Sequence, residues 1–129
     1  SKLFYEGSSS IVSGTKAYHH FTSLGITAVF AFSDILALGY YRTARENSVS
    51  IPRECSLLGF NNSLIGQHID IPLSTIDLPV RDVSRDAVEW LIKRKSKTAK
   101  ADGNENGSYL YRPELVVRKS TAPPKSREY

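Results

Sequence analysis

Two polar pairs in this chain each follow directly on an apolar run: Ser33-Asp34 after Thr27 to Phe32, and Asn61-Asn62 after Cys55 to Phe60. A hydroxyl, a carboxylate and two amides can give and take hydrogen bonds, the chemistry that holds sugar hydroxyls or the edge of a nucleobase. Ser9, in the stretch Glu6 to Ser10, offers a further hydroxyl to the same place if its segment reaches it. Each residue also has an ordinary structural reading, Ser33 and Asp34 as helix caps and Asn61 as a turn residue, and the sequence leaves both open.

No hydrolytic or redox constellation accompanies these pairs. His19 and His20 are adjacent, so on a helix they diverge by about 100° and do not converge on one metal ion. Asp82 and Asp86, with Arg85 between them and Glu89 beyond, read as a solvated helical face. Cys55 is the single cysteine and sits in an apolar run, where it reads as a small buried hydrophobe. The glycine-rich phosphate motifs and the G-x-S-x-G elbow are missing. The residues therefore describe a binding protein, not an enzyme, and imply no cofactor or metal.

The elements that position the pairs follow from the pattern. Thr27 to Phe32 shows no alternation and reads as a strand buried on both faces of a parallel sheet. Ser33 and Asp34 then start a helix over Ile35 to Glu46, which Asn47, Ser48 and Pro52 end. Cys55 to Phe60 is the next strand, and strand, helix, strand at this length is a βαβ unit. The ends of its two strands fall side by side on one edge, where open α/β sheets bind ligands. Before this unit, Leu3 to Tyr5 reads as a short strand, and a helix capped by Ser10 or Ser13 carries Val12, Ala17, Phe21 and Leu24 on its apolar face. After it, Ser74 to Asp77 is a strand. Pro79 then opens a helix whose stripe is Val80, Val83, Ala87, Trp90 and Leu91. Residues 95–108 have loop composition, Tyr109 to Tyr111 and Glu114 to Val117 are short strand pieces, and 122–129 reads as a tail.

At 129 residues, with 40% hydrophobic and 23% charged residues, the chain is an ordinary globular domain that needs no disulfide or metal. No run long and apolar enough to span a membrane is present, and no secretory signal opens it, which favours the cytoplasm. Residues 1–90 hold seven Lys and Arg against nine Asp and Glu, whereas residues 91–129 hold ten against four. That basic excess lacks interleaved aromatic residues over 93–100, so it reads as solvated rather than as a nucleic-acid surface.

The string "TAVFAFSDILALGYYRTARENSVSIPRECSLLGFNN", with "PLSTIDLPV" and "PELVVRKSTAPP" after it, resembles the C-terminal half of the effector domain of lactose-repressor family transcription regulators. The resemblance implies an α/β fold of periplasmic-binding-protein type, a three-layer parallel-sheet lobe. It places the C-terminal lobe at 1–79 and assigns 80–121 to a segment returning toward a first lobe. That lobe and a DNA-binding headpiece would precede the equivalent of Ser1. It also implies a sugar-like effector bound between lobes, contact with operator DNA only through the headpiece, and a homodimer.

Residue by residue, the effector site implied is Asp34, Asn61, Ser33 and Ser9. The family's usual Asn-Asp pair is Ser33-Asp34 here, its usual aspartate after Gly-Phe is Asn61, and its early aromatic is replaced by Ser9. The dimer contacts implied are Ile35, Leu38 and Tyr41, on a helix with more apolar surface than one sheet can cover, together with Ile69. By itself this chain is expected to bind neither effector nor operator with useful affinity, and to self-associate through Val83, Ala87, Trp90 and Leu91. A sugar-binding receptor of a transport system, and a domain read by a protein corepressor, are the other readings the fold allows.

Overall fold

The computed structural model describes residues 2–95 and 109–124. The chain forms two compact units, Ser1–Asp77 with Leu115–Tyr129, and Leu78–Glu114. The residues grouped above as 80–121 are thus divided, with Leu115 onward belonging to the first unit. Residues 96–108 of the expected loop and 125–129 of the expected tail lie outside the described residues.

In the first unit, helix α1 (Ile11–Thr22) precedes strand β1 (Ala28–Phe30), helix α2 (Asp34–Glu46) and strand β2 (Ser56–Phe60). A short helix α3 (Leu64–Gln67) then leads to β3 (Ser74–Asp77), and β4 (Glu114–Val116) completes a sheet of order β1-β2-β3-β4. The first three strands are parallel, with Ala28 opposite Ser56 and Leu58 opposite Ser74. The α/β class and the βαβ unit are those the sequence implies.

Burial alternates on β1 and β2, which corrects the expectation of a strand hidden on both faces. Val29, Leu57 and Thr75 face the helices and are buried, whereas Ala28 and Phe30 are exposed and Ser56, Leu58 and Phe60 half-buried. Leu3 to Tyr5 forms no strand, and Leu3 and Phe4 are largely exposed. Helices and sheet enclose a core of Ala17, Tyr18, Phe21, Val29, Ala37, Tyr40, Tyr41, Ala44 and Leu57.

On α1 the buried residues are Ser13, Gly14, Ala17, Tyr18 and Phe21, and Val12 points out. The reason is close approach to α2. A side chain on Gly14 would overlap the Leu36 carbonyl, and one on Gly39 would overlap the Ile11 carbonyl, so the helices touch backbone to backbone and only small residues fit. On α2 the buried stripe Ala37, Tyr40, Tyr41 and Ala44 has the spacing of one helix face.

The second unit holds α4 (Val80–Lys95), where Arg85 pairs with Asp82 at 2.9 Å and Asp86 at 3.2 Å, and the Tyr111 hydroxyl donates to Asp86 at 2.9 Å. Of its expected apolar stripe, Val83, Ala87 and Leu91 are exposed and Trp90 half-buried.

Candidate functional site

Parallel pairing brings the carboxyl ends of β1 and β2 together, and the Ala31 amide continues the ladder to the Leu58 carbonyl at 2.8 Å. Two residues on, Ser33 caps α2: its Oγ accepts from the Leu36 amide at 3.2 Å. The same oxygen lies 2.6 Å from Ser9 Oγ, so the Ser8 to Ser10 loop does reach this edge. Ser9 is exposed, and Ser33 lies just beneath it.

Asp34 behaves differently from its neighbour. It is the first residue of α2, not its cap, and only 2% exposed. Oδ1 accepts from the Thr75 hydroxyl at 2.7 Å, and Oδ2 accepts from the Ser63 amide at 2.6 Å. Gly59 gives the carboxylate its room, because a side chain there would collide with Oδ1. Asp34 therefore joins α2, β3 and the turn after β2. The expectation that it offers its carboxylate to a ligand is revised accordingly: both oxygens already have protein donors.

That turn carries Asn61 and Asn62, both left-handed at φ 99° and 48°. Its amides are all held: Asn61 N–H by the Ile76 carbonyl at 2.8 Å, Asn62 N–H by Thr75 Oγ1 at 3.3 Å, and Ser63 N–H by Asp34. Arg118 donates through Nη2 to Asn62 Oδ1 at 2.5 Å and through Nη1 to the Leu73 carbonyl at 2.7 Å. The Asn61 residue itself is exposed. Ser63 Oγ is buried and has no hydrogen-bond partner among the described residues.

Beside these polar groups lies an aromatic cluster that the sequence reading missed. Phe30 and Phe32 are 48% and 73% exposed, with ring centres 5.1 Å apart, and Phe32 stacks on Phe60 at 5.7 Å and 29°. The signal was present, since Phe30 and Phe32 are two apart and so share one face of a strand.

The four expected interface residues do not share one environment. Ile35 is 38% exposed, Leu38 and Ile69 are half-buried against the core, and Tyr41 is 7% exposed within it. Tyr41 belongs to the buried stripe of α2 and lines a surface pocket with Arg45, Ile51 and Ile71. Next to α2, α3 adds exposed Leu64 and Ile65.

A family model for the periplasmic binding protein-like domain matches residues 6–121. The transcriptional repressor PurR of Vibrio parahaemolyticus is 34% identical over 92 residues, covering 71% of this chain and 26% of that protein. The transcriptional regulator MalR of Streptomyces coelicolor is 36% identical over 96 residues, covering 74% of the chain and 27% of that protein. A solved LacI family regulator from Enterococcus faecium, with bound ribose, is 28% identical with a TM-score of 0.79, over 90% of this chain and 42% of that one. The chain belongs to the periplasmic binding protein-like domain family, in its lactose-repressor branch. It spans about a quarter of the length of the curated relatives it matches. Among the described residues of this lactose-repressor-type domain, no helix is long and apolar enough to cross a membrane, and no group of three or more His, Cys, Asp or Glu could hold a metal ion.

Proposed function

We propose that this domain is the effector-sensing part of a DNA-binding transcription regulator, and that its effector is a neutral, hydroxyl-rich small molecule of the sugar class. The observation that carries this reading is the edge formed by exposed Ser9 and Asn61, with Ser33 hydrogen-bonded beneath Ser9, beside the Phe30, Phe32 and Phe60 rings. Hydroxyls and an amide match sugar hydroxyls, while aromatic rings match the apolar C–H face of a sugar ring. Asp34 is engaged internally, so the groups this edge offers to a ligand are hydroxyls and an amide. In this reading Asp34 shapes the site rather than touching the ligand. Relatives that are transcription regulators, one of them holding ribose, support the same class. The operator would be bound by a part of the longer protein, where effector binding shifts the balance between domain arrangements.

Heteronuclear NMR of the chain titrated with ribose, lactose, cellobiose and glucose 6-phosphate tests this. One lobe supplies part of the contacts, so binding is weak, in the millimolar range, but the Ser9, Ser33 and Asn61 amides shift with at least one neutral sugar. Shifts confined to other residues, or a preference for the phosphorylated sugar, would sink the site or the neutral ligand respectively.

The homodimer belongs to the same proposal. Its contact surface is the outer side of α2 and α3, where Ile35, Leu64 and Ile65 are exposed and Leu38 and Ile69 lie half-buried. Leu38→Asp would place a carboxylate in an apolar contact, which costs several kcal/mol while it stays ionised. Sedimentation of that variant is expected to show monomer, and an unchanged assembly would move the interface elsewhere.

A further inference from the structure

The geometry points to Arg118 as a positioning residue for the ligand edge: with Asp34 and Thr75 it clamps the Asn61-Asn62-Ser63 turn in the one conformation that presents Asn61. The inference rests on the proposed effector site. It concerns a residue 56 positions further along the chain, at the start of a segment that crosses the sheet far from that site in sequence.

Positive φ at two consecutive non-glycine residues is uncommon, and although asparagine adopts it more readily than other side chains, contacts from the rest of the fold decide whether the turn keeps that conformation. Here the fixation comes from two sources. The buried Asp34 side chain holds the Ser63 amide and, through the Thr75 hydroxyl, the Asn62 amide. Arg118 holds the Asn62 side chain with one terminal nitrogen and the Leu73 carbonyl with the other. A planar guanidinium can make both contacts at once, whereas an ammonium group makes them poorly. Neither Arg118 nor Asp34 needs to meet the ligand. Their joint effect is to fix the backbone from which Asn61 projects.

Arg118 is itself anchored independently of the turn. Its amide donates to Ser74 Oγ at 2.9 Å. Two residues on, Ser120 accepts the Leu57 amide on its carbonyl at 2.7 Å, while its hydroxyl accepts the Ser74 amide at 2.8 Å and donates to the Leu57 carbonyl at 2.5 Å. The segment is fastened to β2 and β3 by Ser120, so the guanidinium is free to serve the turn. Fastening and positioning thus reside in different residues and can be separated.

Arg118→Met and Arg118→Lys, with Asp34→Asn as the variant of the other contact, test the inference by amide hydrogen exchange. Charge-assisted hydrogen bonds are lost, so exchange at Asn62 and Ser63 accelerates about tenfold or more in Arg118→Met and less in Arg118→Lys. The Leu57 amide, held by Ser120, keeps its protection. Equal acceleration at Leu57, Asn62 and Ser63 would mean that Arg118 merely fastens the segment, and no acceleration at the turn would also overturn the inference. A ribose titration of the same samples adds the functional arm: the dissociation constant read at Ser9 and Ser33 rises about tenfold in Arg118→Met, with the melting temperature little changed. Ribose that fails to shift these amides even in the unaltered chain counts against ribose as the probe, and the failure of all neutral sugars counts against the proposed effector site, while the exchange arm still decides whether the clamp exists.

Discussion

At the carboxyl ends of the parallel strands, a buried carboxylate, a guanidinium and a threonine hydroxyl hold two left-handed asparagines. At the amino ends, Tyr18, Phe21, Tyr40 and Cys55 line a trough in which the Tyr40 hydroxyl and Cys55 Sγ, 3.7 Å apart, meet each other. The same sheet therefore treats buried polar atoms in two ways. At one end charge is kept and used to fix backbone. At the other, burial pushes both the Cys55 thiol and the Tyr40 phenol up from their ordinary values, so both groups stay neutral. An end that must present groups to a ligand needs fixed dipoles and charges, whereas an end that only closes the core does best without them.

The most severe way to break this contrast is to remove the charge at the carboxyl end. Asp34→Ala leaves the buried Thr75 hydroxyl and the part-buried Ser63 amide without their acceptor, and an unsatisfied buried donor costs about 1–3 kcal/mol. A loss of about 3 kcal/mol in denaturant unfolding is expected. A variant as stable as the parent would show that the carboxylate contributes nothing to the fold.

The amino end should respond more weakly, and chiefly to pH. Folded-state values of Cys55 and Tyr40 lie above their unfolded values, so the folded chain binds those protons more tightly. Their contribution to stability is complete below the unfolded thiol value, about 8.5, and is lost as pH rises above it toward the folded values. Unfolding followed by denaturant from pH 7 to 10.5 should show this decline, and Cys55→Ala should remove its thiol part. Tyr40→Phe is expected to cost no more than about 1 kcal/mol, because a single neutral contact to sulfur is lost and the ring remains packed.

How much of this was legible depended on which physical signal each residue carries. The βαβ order from Thr27 to Asn62 was readable because apolar runs and turn residues are local signals, and so was the convergence of Ser33 and Asn61 on one edge. The direction of Asp34 was not, because a carboxylate at a helix start looks the same in sequence whether it faces water or a sheet. Tyr41 carried two signals at once, because Ala37, Tyr40, Tyr41 and Ala44 stand at the spacing of one buried face, and the structure places it on that face at 7% exposed. Thr75 and Arg118 carry no local signal at all. Arg118 stands in a basic stretch that reads as solvated, and only the fold brings it within 2.5 Å of Asn62.

The smallest effect sharpens the comparison most, because it asks whether every polar atom at the carboxyl end is there for a reason. Ser63 Oγ is buried without a partner among the described residues, although the Ser63 amide is held by Asp34. Ser63 precedes α3, but its hydroxyl makes no capping hydrogen bond, so replacing it forfeits none. Ser63→Ala removes a hydroxyl whose desolvation is uncompensated and leaves the backbone contacts intact, and it should stabilise the chain by up to about 1 kcal/mol. Denaturant unfolding measures this directly. If Ser63→Ala is instead destabilised by 1 kcal/mol or more, the hydroxyl has a partner in solution, such as an ordered water, and the carboxyl end wastes no polar atom.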